Sequence, residues 1–290
     1  MTDPQTESSK ERDAVRAVVR QTLSQLSQTG ALPALPGVAT AALGLCRDPD
    51  ADVGELVRVL QMDVGLTTRV VRVANSPLYG RRRHAQSVQE AVVTVGLRQT
   101  CDILVAVCAK QIYAATGAYA EVFWNHALAA AVAAEELALR TRTVRLGTAF
   151  LPALLHDIGR IALELADSKS FALVQGRIEG GEGTPTAIER EWYRFDHAQA
   201  GAILAEDWGL AAEQSAAIRW HHEPGKAQAG EELARLVNAA DYVAYSMGFG
   251  TCASPPLDVG LHALGISAED GAAVATRARE VFEDQKRLLG

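Results

Sequence analysis

The spacing of helix-breaking residues is the feature that most constrains the fold of this chain. Pro and Gly recur at intervals of roughly 12 to 25 residues, and the segments between them are rich in the helix formers Ala, Leu, Arg and Glu. Strands of a half-buried sheet would show apolar and polar residues in alternation, and clean alternation of this kind is hard to find. The sequence therefore predicts an all-α protein.

Length, composition and charge exclude several classes of protein. At 290 residues the chain has room for two domains or one large one, and its 48% hydrophobic and 22% charged content is typical of globular proteins. A net charge of −7 argues against a protein that wraps nucleic acid or lies on an anionic membrane. The segment Met1–Arg12 is polar and later apolar runs are short, so we expect a cytoplasmic protein without membrane insertion. The four cysteines lie far apart, so we expect reduced thiols.

The helical segments fall into two lobes. We expect a polar N-terminal tail that runs into the first helix over residues 1–20, and an N-terminal helical lobe over residues 21–116. Gly117 marks the seam to a second helical lobe over residues 117–250, and a C-terminal loop and helix occupy residues 251–290. Within the second lobe, the apolar run from Leu146 to Ala166 predicts one long helix.

Histidine is concentrated in the second lobe. Of the seven histidines, six follow Gly117 and five lie between His126 and Asp241. His156 and Asp157 stand together inside an apolar run, where buried polar side chains need partners or a cation. His126 and Asp241 stand in similar surroundings on two other predicted helices. Imidazoles and carboxylates from three helices suit a divalent transition metal such as Fe, Mn or Zn.

The order of these residues, H…HD…D, resembles the HD superfamily of metal-dependent phosphohydrolases. The resemblance implies a metal site formed by His126, His156, Asp157 and Asp241.

The chain has further histidines that resemble the additional metal-binding histidines of the HD-GYP subgroup, whose members hold two or more metals. The resemblance implies a second metal position formed by His197 with His221 or His222. Because neighbouring residues point about 100° apart on a helix, we expect only one of the last two to face the site. The chain departs from the subgroup in having no D-G-x-G-Y-P motif after Glu223, and in carrying Arg160 where a lysine is usual.

Four N-terminal motifs narrow the resemblance to one family. They read LPALP from Leu32, QMDVGLT from Gln61, VANSPLYG from Val73 and AVVTVGLR from Ala91. In this order they resemble the HDOD family (HD-related output domain), and the similarity extends over roughly residues 25 to 225. The resemblance implies a bacterial signal-transduction output module that binds signalling proteins or a small nucleotide ligand. It also implies a degenerate or regulatory HD-type pocket, because the family has no generally established catalytic activity.

Two other interpretations of the cluster stay open. The histidines and aspartates can satisfy one another through buried hydrogen bonds without any metal. Alternatively, the protein is a metal-dependent phosphohydrolase of a nucleotide or cyclic dinucleotide. In that interpretation His156 and Asp157 are catalytic candidates and Arg160 steadies the phosphate.

Three successive arginines form the remaining candidate site. Arg81, Arg82 and Arg83 could bind a phosphate or an acidic partner, although a solvated loop is the simpler interpretation. Nucleic-acid binding would rest on these arginines alone and conflicts with the acidic net charge. His84 and His262 have no evident partners, so we expect both on the surface.

Overall fold

A computed structural model describes residues 9–26, 37–48, 51–76, 84–115, 117–252 and 259–289. Within these ranges the chain is helical and has no strand, which confirms the all-α prediction. The helices are α1 Ser9–Leu26, α2 Gly37–Arg47, α3 Val53–Gln61, α4 Val64–Ala74, α5 Val88–Val95, α6 Leu97–Ala114, α7 Ala120–Thr141, α8 Phe150–Leu155, α9 Ile158–Ala166, α10 Ser168–Glu179, α11 Pro185–Tyr193, α12 His197–Trp208, α13 Ala212–Trp220, α14 Glu231–Ser246, α15 Val259–Ala263 and α16 Ala268–Leu289. A short 3-10 helix, Pro224–Lys226, lies between α13 and α14.

Side-chain caps determine where several helices begin. Asp52, Ser87 and Asp196 precede α3, α5 and α12, and each side-chain oxygen accepts a hydrogen bond from a backbone N–H of the first turn. At α12 the side chain of Gln199 returns a bond to the backbone of Asp196, which completes a capping box. This cap holds His197 at the first position of α12.

Helix α7 is the centre of the second lobe. It packs against α8, α14 and α16, while α6 of the N-terminal lobe packs against α7 and α8. Its alanines at positions 129–131, 133 and 134 are fully buried and let the neighbouring helices approach closely. The buried apolar side chains of both lobes belong to one continuous core. Candidate ligands on α7, on α14 and directly after α8 are therefore held by buried, closely packed helices.

The prediction of one helix from Leu146 to Ala166 is wrong. The chain forms α8 and α9 instead, and His156 and Asp157 occupy the break between them. At Asp157 the backbone leaves the helical region (φ −98°, ψ 8°). The sequence pattern conceals the break because α8 is buried at every residue and α9 at every residue except Leu165, so the apolar run continues across it.

Two predictions about the whole chain have different outcomes. Within the described residues, no single helix is long and apolar enough to cross a membrane, and α5 with most of α6 passes such a test only as a pair bent by 119°.

Cys108 and Cys252 carry free thiols, but Cys101 is disulfide-bonded, so the expectation of reduced cysteines is wrong at this position. Spacing along the sequence cannot reveal such a bond, because it depends on which helices pack together.

A close approach of α9 to α12 brings the two halves of the candidate site together. A Cβ atom added at Gly159 would lie 2.0 Å from the backbone oxygen of His197 and 2.8 Å from the backbone nitrogen of Gly201. Because those atoms belong to the backbone of α12, they cannot move aside as a flexible side chain could. Glycine at position 159 thus sets the distance between Asp157 and His197.

We expect Gly159→Ala to destabilise the protein by about 3 kcal/mol, because the added methyl group forces α9 and α12 apart. Gly176→Ala is the matched control, since Gly176 lies within α10 and a Cβ there meets nothing within 4 Å. That control should raise stability by roughly 0.5–1 kcal/mol through helix propensity. Urea unfolding of both variants measures the difference, and equal stabilities would contradict the close approach.

Candidate metal centre

Side chains from five segments of the second lobe meet at one site. The segments are α7, the break between α8 and α9, the start of α12, the turn after α13, and α14. The side chains are His126, His156, Asp157, His197, His221, His222 and Asp241. All are buried except His222, which is half-buried. The fold thus brings together every residue that the sequence analysis named as a candidate ligand.

The first group of ligand atoms is formed by His126, His156, Asp157 and Asp241. The Nε2 atoms of His126 and His156 lie 3.1 Å apart, and Oδ1 of Asp241 lies 3.3 Å from Nε2 of His126. Oδ2 of Asp157 is 3.7 Å from the same nitrogen. Two imidazoles and two carboxylates therefore face a common centre.

The second group is formed by His197, His221 and His222. The Nε2 atoms of His197 and His222 lie 2.9 Å apart, and Oδ1 of Asp157 lies 3.1 Å from Nε2 of His197. The same oxygen lies 3.7 Å from Nε2 of His156, so Asp157 faces both groups.

The expectation that only one of His221 and His222 faces the site is wrong. His221 and His222 follow Trp220, the last residue of α13, and a ring nitrogen of each lies within 4.8 Å of a ring nitrogen of His197. The ring centroids of His221 and His222 are 3.9 Å apart.

The protonation of the rings is decided by their backbone partners. Three rings donate their Nδ1–H to carbonyl oxygens at 2.7–2.8 Å: His126 to Phe249, His156 to Ala153 and His221 to Ile218. In a neutral ring this leaves Nε2 without a proton, as a lone pair directed at the centre. Two such lone pairs 3.1 Å apart repel each other unless a proton or a metal ion lies between them. This donor set fits a metal ion.

A buried nitrogen atom that lacks a hydrogen-bond partner supports the same conclusion. Nε2 of His221 is buried and has no hydrogen-bond partner among the described residues. Oδ1 of Asp157, at 4.0 Å, is too distant for a hydrogen bond. Buried polar atoms without a partner are rare and costly, and coordination to an ion would satisfy this one.

Glu189 is a functional candidate outside the predicted set. Its Oε2 accepts hydrogen bonds from Nδ1 of His197 at 2.6 Å and from the backbone N–H of His197 at 2.8 Å. A carboxylate behind a metal-binding imidazole fixes the ring orientation and increases its basicity. The signal in the sequence is the position of Glu189 eight residues before His197, which the ligand types alone do not reveal.

Arg160 is an internal cation of the site. It is 2% exposed, and its guanidinium donates to Oγ1 of Thr251 at 2.9 Å and to Oε1 of Gln175 at 2.6 Å. One of its nitrogens lies 3.6 Å from Oδ2 of Asp157. These contacts direct its charge to Asp157, so the geometry favours support of a ligand over the phosphate contact considered from the sequence.

Electrostatics divide the imidazoles into two kinds. Burial lowers the pKa of His156, and it lowers the pKa of His221 to about 4 with the help of neighbouring imidazoles. Burial acts in the same direction on His197, but the carboxylates of Glu189 and Asp157 outweigh it and raise its pKa to about 10. Burial also opposes ionisation of Asp157, yet His156, His197 and Arg160 hold its pKa well below the usual value. In the metal-free protein at neutral pH, a proton on His197 thus balances buried carboxylate charge.

The remaining candidates lie apart from this site. Arg81, Arg82 and Arg83 fall outside the described residues. His84 and His262 are exposed, as expected.

Comparison with known proteins identifies relatives of this chain. A sequence profile of the HDOD domain matches residues 32–224. An uncharacterised protein of Treponema pallidum (strain Nichols) is 25% identical over 219 residues, which are 75% of this chain and 42% of that protein. The chain thus spans less than half the length of this relative.

Solved structures show the same fold. A candidate phosphohydrolase from Shewanella amazonensis SB2B has a TM-score of 0.73 at 22% identity, over 94% of this chain and 98% of that one. A candidate signal transduction protein from Marinobacter aquaeolei VT8 has a TM-score of 0.70 at 22% identity, over 96% of this chain and 66% of that one. At such identities the likeness shows the fold alone.

The proton on His197 predicts a pH dependence for the metal-free protein. In the folded state the pKa of His197 is raised from the ordinary value of 6.5 to about 10. Its protonation therefore stabilises the fold fully below pH 6.5, and this stabilisation is lost as the pH rises towards 10. Glu189→Gln removes the carboxylate that holds the proton, so the loss should be smaller in the variant. Glu191→Gln, which changes an exposed carboxylate on the same helix, is the control. The check is urea unfolding in chelator at pH 6.5 and 10, and parallel losses in all three proteins would disprove the assignment.

Proposed function

Because this chain belongs to the HDOD family, we propose that it is a signal-transduction output module whose HD-type centre binds divalent transition metal ions and acts in regulation. The observation that carries the proposal is the convergence of carboxylate oxygens with imidazole Nε2 atoms, four of which belong to rings whose Nδ1–H is already bonded within the protein. His126, His156, Asp157 and Asp241 would hold one ion. His197, His221 and His222 would hold a second, with Asp157 between the two.

The chemistry of the ligands favours metal ions that are intermediate between hard and soft Lewis acids. Five imidazoles and two carboxylates form the centre. Sites for Mg²⁺ or Ca²⁺ are built from oxygen ligands, whereas imidazole suits Zn, Fe and other first-row transition metals. Fe, Mn or Zn is therefore the proposed occupant.

Enclosure of the centre favours regulation over turnover. The side chains of His126, His156, Asp157, His197, His221 and Asp241 are between 0 and 9% exposed. A nucleotide-sized substrate would have to displace protein atoms to reach the ligand positions. Ions bound at the two positions would instead tie together five segments of the second lobe, so gain or loss of the ions would change the surface offered to signalling proteins.

The completeness of the ligand set supports a second candidate function, hydrolysis of a nucleotide or cyclic dinucleotide phosphate. Every position of the H…HD…D pattern is filled, and His222 at the edge of the centre is half-buried rather than fully enclosed. Bound divalent metals supply Lewis acidity and activate water for attack on phosphorus. The residues that would hold them are those already named.

Metal content tests the centre directly. We expect protein purified without chelator to carry near-stoichiometric Fe, Mn or Zn, and the double variant His156→Ala, Asp157→Ala to carry none, because the first position loses two ligands. His262→Ala, which removes an exposed histidine of α15, should keep the metal. Asp241→Asn provides a milder ligand change if the double variant does not fold. Elemental analysis is the measurement, and a well-folded wild type without metal would refute the proposal.

A phosphodiesterase assay separates regulation from catalysis. The metal-loaded protein should leave bis-(p-nitrophenyl) phosphate and cyclic dinucleotides uncleaved, because the enclosed centre does not admit them. Turnover that is absent from Asp241→Asn but retained in His262→Ala would overturn the regulatory function and establish the hydrolase.

A further inference from the structure

A cavity of about 650 Å³ lies next to the segment that carries His221 and His222. It is bounded by α1, α12, α13 and the 3-10 helix Pro224–Lys226. Its volume falls within the roughly 300–1,000 Å³ typical of small-molecule sites. The side chains of the metal centre do not line it, so it is a separate site in the described part of the chain.

The wall of this cavity is positively charged. Arg16, Arg219 and Lys226 line it against a single carboxylate, Glu206. Such an excess stands out in a chain whose net charge is −7. The cations come from three separate elements, α1, α13 and the 3-10 helix, so the fold assembles them around one space. A cavity with this lining favours an anionic ligand.

Carboxylates at the surface pair with Arg16 and with Lys226. Asp207 and Glu206 lie 2.9 and 3.5 Å from Arg16, and Glu223 lies 2.6 Å from Lys226. All three carboxylates are partly exposed. Ion pairs between exposed groups are weak, so a ligand that carries several negative charges can compete for these cations.

An aromatic ring stands between two of the cations. The centroid of the Trp220 ring lies 5.3 Å from the guanidinium of Arg219 and 6.0 Å from Nζ of Lys226. The ring is partly exposed and lines the cavity. A planar ring beside cations suits a planar base joined to phosphate.

We propose that this cavity binds a nucleotide, with its phosphates at Arg16, Arg219 and Lys226 and its base against Trp220. Trp220 directly precedes His221, and Lys226 lies in the 3-10 helix that follows His222. A ligand held by Trp220 and Lys226 therefore acts on both ends of the turn that carries these histidines. Binding depends on the cavity alone, whereas its role as the input to the metal centre rests on the proposed function.

Titration of the full chain with ATP, GTP and pyrophosphate tests the proposal. We expect a nucleotide to bind with a Kd below about 1 mM and to change the tryptophan fluorescence. Pyrophosphate should bind more weakly because it has no base. Lys226→Gln, a change at an exposed side chain, should weaken nucleotide binding about tenfold or more through loss of a charge-assisted contact. Trp220→Phe should abolish the fluorescence change.

Arg287→Gln on α16 is the matched control and should bind as the wild type does, since Arg287 is 76% exposed and pairs with Asp284. Absence of nucleotide binding by the folded wild type at 1 mM, or equal binding in wild type, Lys226→Gln and Trp220→Phe, would overturn the proposal.

Metal content measured on the same samples separates the two proposals. Nucleotide binding that is lost in His156→Ala, Asp157→Ala but unchanged in Lys226→Gln would place the ligand at the metal centre and refute the cavity. If the wild type contains no metal but binds a nucleotide, and Lys226→Gln weakens that binding, the result would support the cavity and refute the metal centre.

Discussion

The position of Asp157 between two groups of imidazoles is the interaction on which the rest of the site depends. A buried carboxylate is costly unless charges or hydrogen bonds compensate it, and here His197 and Arg160 lie within 3.1 and 3.6 Å of its oxygens. The break between α8 and α9 allows Asp157 to reach this position beside His156. The close packing at Gly159 then brings the start of α12 within reach. A change in any of these features would leave charge buried without a partner.

The sequence predicts the composition of the centre better than its geometry. Buried positions of the H…HD…D pattern identify the ligand types, and caps such as Asp196 mark where helices start, because both are local signals. The break at His156 is not visible, since the residues on either side are apolar and buried. The approach of both His221 and His222 to His197 depends on tertiary packing. A search of the sequence for metal ligands does not identify Glu189, because its carboxylate binds the imidazole of His197 and does not face the metal centre.

The enclosure that favours an ion at this centre also restricts the access of a substrate to it. Hydrogen bonds from Nδ1–H to backbone carbonyls, or to Glu189 in the case of His197, hold each imidazole ring in one orientation. They also rigidify the segments that carry the rings. Metal bound at such a centre would couple its binding energy to the packing of these segments and would stabilise the folded state by mass action. A hydrolase of the same ligand set would need space beside the ions. The cavity described above lies next to Trp220, so the two proposals assign ligand recognition and metal binding to adjacent, separate sites.

Anomalous diffraction from crystals of protein purified without chelator tests the central claim most directly, because it locates metal as well as detecting it. Data collected on both sides of the absorption edges of Fe, Mn and Zn should show one peak among His126, His156, Asp157 and Asp241, and a second among His197, His221 and His222. A single peak at the first position would limit the centre to one ion. No peak, with the Nε2 atoms of His126 and His156 still about 3.1 Å apart, would show that shared protons hold the cluster together and would contradict the account.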